Sequence, residues 1–221
     1  MSFDRRAAAV VWCLAVAALV ASAAASDVDE PDAAARHDAA ASRALVAFLA
    51  ESERGAWLVD GTFTRTPHGG EPSRATTREA RRGGVHVLRL PASATAEVGG
   101  VTISCSVAGD EVACIESAAP DRLSTAETLA VLVDEGIYVV DELDREYIAG
   151  ERARCFRAFG RTGFEPSFGL ERQYCFAADG VPLRVRVVDA NTTDERVAVA
   201  VRRDPSQEEV EDLLRDLERA A

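Results

Sequence analysis

The chain has 221 residues, 48% hydrophobic and 28% charged, which suits one globular domain with a core of its own and excludes a disordered polymer. A formal net charge of −12 argues against a nucleic-acid binder, because phosphate contacts need local positive charge. All 25 basic residues are arginines, which reads as the coding bias of a GC-rich bacterium rather than a binding signal.

The first 25 residues read as a targeting segment. Arg5 and Arg6 form a positive start, and Ala7 to Val20 an apolar stretch. Ala21-Ser22-Ala23 and Ala23-Ala24-Ala25 are acceptable cleavage sites. The rival reading is an uncleaved membrane anchor, since Ala7 to Ala25 is nearly long enough to span a bilayer. Cys13 follows Trp12, whereas a lipidation signal wants small residues there. The chain is thus expected to be secreted or held in the cell envelope. Residues 26–38, with five acidic side chains and Pro31, read as a disordered acidic spacer.

From residue 39 the pattern is that of a folded domain. Ala39 to Arg54 reads as a helix, with Leu45, Phe48, Leu49 and Ser52 on one face and Gly55 to end it. Ala56 to Thr66 alternates as a strand, with Trp57, Val59 and Phe63 on one side. Ser73 to Arg81 is a polar strand expected at an edge or strongly solvated, with Arg78, Arg81 and Arg82 in water. Val85 to Leu90, Ala94 to Val98, Val101 to Val107 and Glu111 to Ile115 continue a meander, in which His86 reads as a packed or edge histidine. Ser124 and Glu127 form a capping box that opens a short helix, with Gly136 after its end.

Ile137 to Leu143, Asp144 to Ala149 and Arg152 to Phe159 resume extended structure, followed by a loop from Gly160 to Gly169. Tyr174 to Ala177 precedes an Asp179-Gly180 turn, where glycine supplies the positive φ. Leu183, Val185 and Val187 then alternate with Arg184 and Arg186, as in a strand with one buried face. Arg196 to Arg202 is the last strand. Residues 206–221 read as an amphipathic helix, with a capping box at Ser206 and Glu209.

Without the leader four cysteines remain, an even number that implies two disulfides outside the cytoplasm. Of the three connectivities, a hairpin turn at Gly109-Asp110 sets Cys105 opposite Cys114 at a non-hydrogen-bonded pair. Cys155–Cys175 follows. There is no C-x-x-C and the histidines are scattered, so structural bridges are preferred to a redox pair or a metal site.

The tally is α+β and mainly antiparallel β, with an N-terminal, a mid-chain and a C-terminal helix. A helix, then W-L-V-D-G-T-F-T-R-T, a meander, an inserted helix, and A-G-E-R-A-R-C-F-R-A-F…Y-C-F-A-A-D-G-V-P-L-R-V together resemble the LolA/LolB-like and LppX/LprG-like envelope lipoprotein-carrier superfamily. The pattern is similar also to RseB-like sensor domains. The resemblance covers residues 39–205, the expected β domain. It implies a curved, half-open β-barrel (LolA-like) whose concave face and helices enclose a cavity for a lipid or acyl chain. It implies no cofactor and no catalytic residue, and no nucleophile, Walker, dinucleotide or H-E-x-x-H motif is present.

Trp57, Phe63, Tyr138, Phe164 and Phe168 are the candidate ligand contacts; the competing reading makes them ordinary core and loop residues. The function expected is lipid or other hydrophobic-ligand binding in that cavity. The alternative is an envelope protein-interaction or sensory module with a filled cavity. A monomer is expected.

Overall fold

The computed structural model describes residues 38–90, 92–108, 111–118, 123–161 and 169–220. The chain opens with helix α1 (Ala39–Arg54). Asp38 caps it: its carboxylate accepts from the Ala40 and Ala41 amides at 3.0 and 3.2 Å, satisfying donors that a helix start leaves unpaired. Ala41, Leu45 and Leu49 are buried at helical spacing.

Six strands follow: β1 (Trp57–Pro67), β2 (Ser73–Arg82), β3 (Val85–Leu90), β4 (Ser93–Val98), β5 (Val101–Ala108) and β6 (Glu111–Ala118). Helix α2 (Thr125–Asp134) starts at the Ser124–Glu127 capping box, with both reciprocal bonds present. The second half holds β7 (Tyr138–Glu142), β8 (Glu146–Ile148), β9 (Glu151–Gly160), β10 (Glu171–Phe176), β11 (Pro182–Val188), β12 (Thr192–Arg203) and helix α3 (Gln207–Ala220). At the start of α3, Ser206 Oγ accepts from the Glu209 amide at 3.2 Å, and the Glu209 carboxylate accepts from the Ser206 amide at 2.8 Å.

All strands pair antiparallel, in the order β6-β5-β4-β3-β2-β1-β12-β11-β10-β9-β7, with β8 beside β9. Two meanders are therefore joined by the long-range pair β1–β12. This corrects the expected half-open barrel. The strand order is one open path, and its end strands β6 and β7 do not pair, whereas closure of a barrel requires the ends of the sheet to meet. Each new hairpin adds a strand at the outside, and nothing among the described residues brings the outside strands together. The sheet is open, neither closed nor curled.

The core lies in three clusters. α1 and α2 cover Tyr138, Val140, Phe156, Ala158, Tyr174 and Phe176. A second cluster gathers Trp57, Val59, Ile148, Leu183 and the Cys155–Cys175 bridge. In the third, Val210 and Leu213 of α3 pack on Leu58, Ala80, Val87 and Ala96. Each fully buried large apolar side chain contributes about 1.5–3 kcal/mol. The second bridge, Cys105–Cys114, ties β5 to β6. The Gly109-Asp110 turn expected between those strands lies outside the described residues.

The polar strand expected at an edge is interior. β2 runs between β1 and β3; Arg78, Glu79 and Arg81 find partners inside the sheet, whereas Arg74 is exposed and Arg82 reaches Asp204 and the Pro205 carbonyl beyond β12.

Candidate functional site

A candidate surface is built where β12 returns to β1, beside β2. Asp60 pairs with Ala200 but Gly61 with Ala198, so Val199 is the extra residue of a β-bulge. A bulge re-aims the side chain it displaces, and Val199 is 65% exposed. Gly61 makes this possible: a Cβ there would lie 2.6 Å from the Val197 carbonyl oxygen.

Val199 then lines an open trough of about 710 Å³, with Thr62, Thr76, Leu90, Leu213 and the charged row Asp60, Arg78 and Arg89. That row follows from register, because Asp60 is opposite Arg78 and Arg78 opposite Arg89. Arg78 Nε donates to Asp60 at 2.6 Å. Like charges directly opposite across a strand pair are unfavourable, and Asp60 offsets that at Arg78. The trough is therefore apolar at Leu90, Val199 and Leu213 and polar along the row.

A second cluster of ionisable groups lies among the same strands. Glu79 accepts from Arg196 Nη1 at 2.6 Å and lies 2.8 Å from His86 Nε2. His86 Nδ1 is 3.5 Å from Glu97, which is 3.8 Å from Arg81. The side chains of Glu79 and His86 are 13% and 22% exposed, so these charges act at low dielectric. Burial alone would push the Glu79 carboxyl up, but Arg196 and His86 outweigh it and hold it at about 2. Burial pulls the His86 imidazole down, and Arg81 adds to that; hydrogen bonds with Glu79 and Glu97 outweigh both and raise it.

Arg81 also donates to the Glu53 carbonyl at 3.2 Å, and Trp57 Nε1 to the Ser52 carbonyl at 3.0 Å. The cluster thus ties the end of α1 to four neighbouring strands. The Glu79 carboxylate is held ionised by Arg196 and by its hydrogen bond with His86, which makes it a staple and a poor proton donor.

The aromatic candidates are dispersed. Trp57 is 2% exposed in the second core cluster, its ring 6.0 Å from His86. Tyr138 is 1% exposed under α1 and α2 and donates to the Gly169 carbonyl at 2.5 Å. Phe63 is half-buried on β1, with the Arg65 guanidinium 5.7 Å from its ring centre. Phe164 and Phe168 lie outside the described residues. The three described members are not brought into one cavity.

Sequence reading passed over the trough and the Glu79 cluster. The available signal was a glutamate between Ala75 and Ala80 facing a strand that carries the histidine. A grouping of metal-ligand types, Glu146 with Cys155 and Cys175, offers no thiolate, because both sulfurs are spent in the bridge.

No protein-family model matches the chain, and no curated protein matches it. Solved structures do resemble it. The MucA/MucB complex of Pseudomonas aeruginosa is matched with TM-score 0.50 and 18% identity, over 78% of this chain and 60% of that one. MucB alone is matched with TM-score 0.50 and 15% identity, over 78% and 62%. The chain thus spans about three-fifths of the length of those structures. The Mycobacterium tuberculosis lipoprotein LppX is matched at TM-score 0.37 and 10% identity, over 75% and 98%. Loosely and at low identity, the fold resembles that of MucB.

The two disulfides place the domain outside the cytoplasm, where such bridges persist. Among the described residues no helix is long and apolar enough to cross a membrane.

Proposed function

We propose that this protein is a non-catalytic, extracytoplasmic interaction module that binds a protein partner of the cell envelope. One observation carries the reading: the space between the helices and the sheet is filled by the protein's own aromatic side chains. Phe48 of α1 lies 5.4 Å from Phe176 and 5.8 Å from Phe156, and Tyr174 stacks on Phe176 at 6.0 Å. An acyl chain there would have to displace four packed rings. The fold's likeness to MucB, a protein solved in complex with MucA, supports the same reading. The buried charges serve architecture, so no reaction is assigned to them. The test is whether the native protein retains a protein partner and takes up no fatty-acid probe.

A second reading is favoured by the trough. Its volume of about 710 Å³ and its walls of Leu90, Val199 and Leu213 suit a lipid or other hydrophobic ligand at the size typical of ligand sites. Uptake of an environment-sensitive fatty-acid probe, lost in Val199→Asp, would favour this reading over the first.

A further inference from the structure

The end strand β6 presents a regular hydrogen-bonding edge to solvent. Cys105 and Cys114 face each other with Cα atoms 4.1 Å apart, the spacing of a non-hydrogen-bonded antiparallel pair. In such a pair the backbone N–H and C=O of each residue point away from the partner strand. The second bridge obeys the same rule. Cys155 and Cys175 are 4.0 Å apart, and the Cys155 carbonyl accepts from the Leu143 amide on its far side at 2.9 Å.

The register of β5 with β6 runs without a shift from Glu111 to Ala118. By alternation, the backbone groups of Val112, Cys114, Glu116 and Ala118 therefore point outward. At Cys155 the outward carbonyl is taken; at β6 no strand pairs with that side among the described residues. Natural sheets blunt such an edge with proline, lysine or a bulge, and β6 carries none of these. Its middle residue, Ile115, is 72% exposed.

Resting on the interaction-module reading, we infer that β6 is the docking edge, and that its occupant is an extended segment of a partner protein carrying a basic residue opposite Glu116. Strand addition supplies main-chain bonds for affinity and side-chain matching for specificity. An apolar residue of the segment beside Ile115 covers the exposed side chain. The charge selects the occupant: β6 has glutamates and no arginine, and the chain carries −12 overall. A second copy would bring like charge, whereas a basic segment brings the complement.

Amide hydrogen exchange on the full disulfide-bonded chain tests this. The probe is a short synthetic peptide alternating valine and threonine around one arginine; its control has glutamate in the arginine's place. In the free protein the amides of Val112, Cys114, Glu116 and Ala118 exchange freely, while that of Ile115, bonded to β5, is protected. The arginine peptide slows the four outward amides by about tenfold or more, and the control peptide leaves them unchanged. Glu116→Lys reverses the preference between peptides. Glu116→Pro removes an outward donor without touching a bond to β5, so it abolishes the slowing while Ile115 stays protected.

Outward amides already protected in the free chain, or unmoved by the arginine peptide, would overturn the proposal. Protection that rises with protein concentration alone, with a dimer in sedimentation, would overturn it in favour of a second copy. A partner mass that Glu116→Pro retains would remove the edge and leave the module reading standing. A wild-type protein that holds no partner would remove both.

Discussion

Glu79 Oε1 on β2 and His86 Nε2 on β3 meet at 2.8 Å, inside a row that continues to Arg196 on one side and Glu97 on the other. Four strands contribute to that row, so its charge state is coupled to the stability of the sheet.

The pH dependence has two limbs. Glu79 is lowered from 4.5 to about 2 in the folded chain, so its contribution is present above about 4.5 and is lost as pH falls towards 2. That contribution is on the order of 3 kcal/mol. His86 is raised above 6.5, so its contribution is complete below that value and is lost as pH rises through the folded value. Urea midpoints measured across pH are expected to be highest between 4.5 and 6.5. His86→Gln should flatten the alkaline limb and also weaken the acid limb, since His86 is one of the two groups that hold the Glu79 carboxyl down.

Removing one member of the row leaves its partners charged, poorly solvated and unpaired. Glu79→Gln and Arg196→Ala are each expected to cost about 3–5 kcal/mol, the usual penalty for breaking a buried ion pair. Denaturant unfolding of both single variants and of the double variant checks this. The double variant should cost much less than the sum, because the second change removes the group that the first had stranded.

Gly61→Ala places a methyl against the Val197 carbonyl, which is backbone and cannot rotate aside. A cost of about 1–3 kcal/mol is expected, with chemical-shift changes centred on Val197, Ala198 and Val199 as the bulge adjusts. Gly69→Ala has open space around its Cβ but the same positive φ as other turn glycines. It should cost about 1 kcal/mol and leave the bulge unmoved.

The two bridges differ in access. Cys155 and Cys175 are 0% and 2% exposed, whereas Cys114 lies exposed on β6. Under mild thiol treatment of the native chain, Cys105–Cys114 is expected to open first. Alkylation followed by mass spectrometry reads the order. Loss of the buried bridge by Cys155→Ala with Cys175→Ala should cost about 2–5 kcal/mol.

Much of the local structure is legible in the residues. The alternation of Leu183, Val185 and Val187 places β11, and the pairs Ser124–Glu127 and Ser206–Glu209 mark two helix starts that the caps confirm. Counting outward from Gly109-Asp110 sets Cys105 against Cys114, the register β5 and β6 adopt. The position of β2 is not legible. Its charges look solvated because the partner that buries Glu79 is Arg196, 117 residues away, and period-two patterning carries no record of it. The open sheet escapes notice for a similar reason: whether end strands meet is decided between β6 and β7, which share no local pattern. The aromatic candidates rest on the concave face that the resemblance implies, and no local pattern distinguishes packing such as Phe48 on Phe176 from a ligand pocket.

The most direct measurement is native mass spectrometry of the protein purified from its own cells, with and without organic solvent. The expected result is a complex with a protein partner, no mass that solvent strips away as lipid, and no uptake of a fatty-acid probe. A stoichiometric lipid mass, with the probe displacing it, would contradict the filled interior and move the function to the trough.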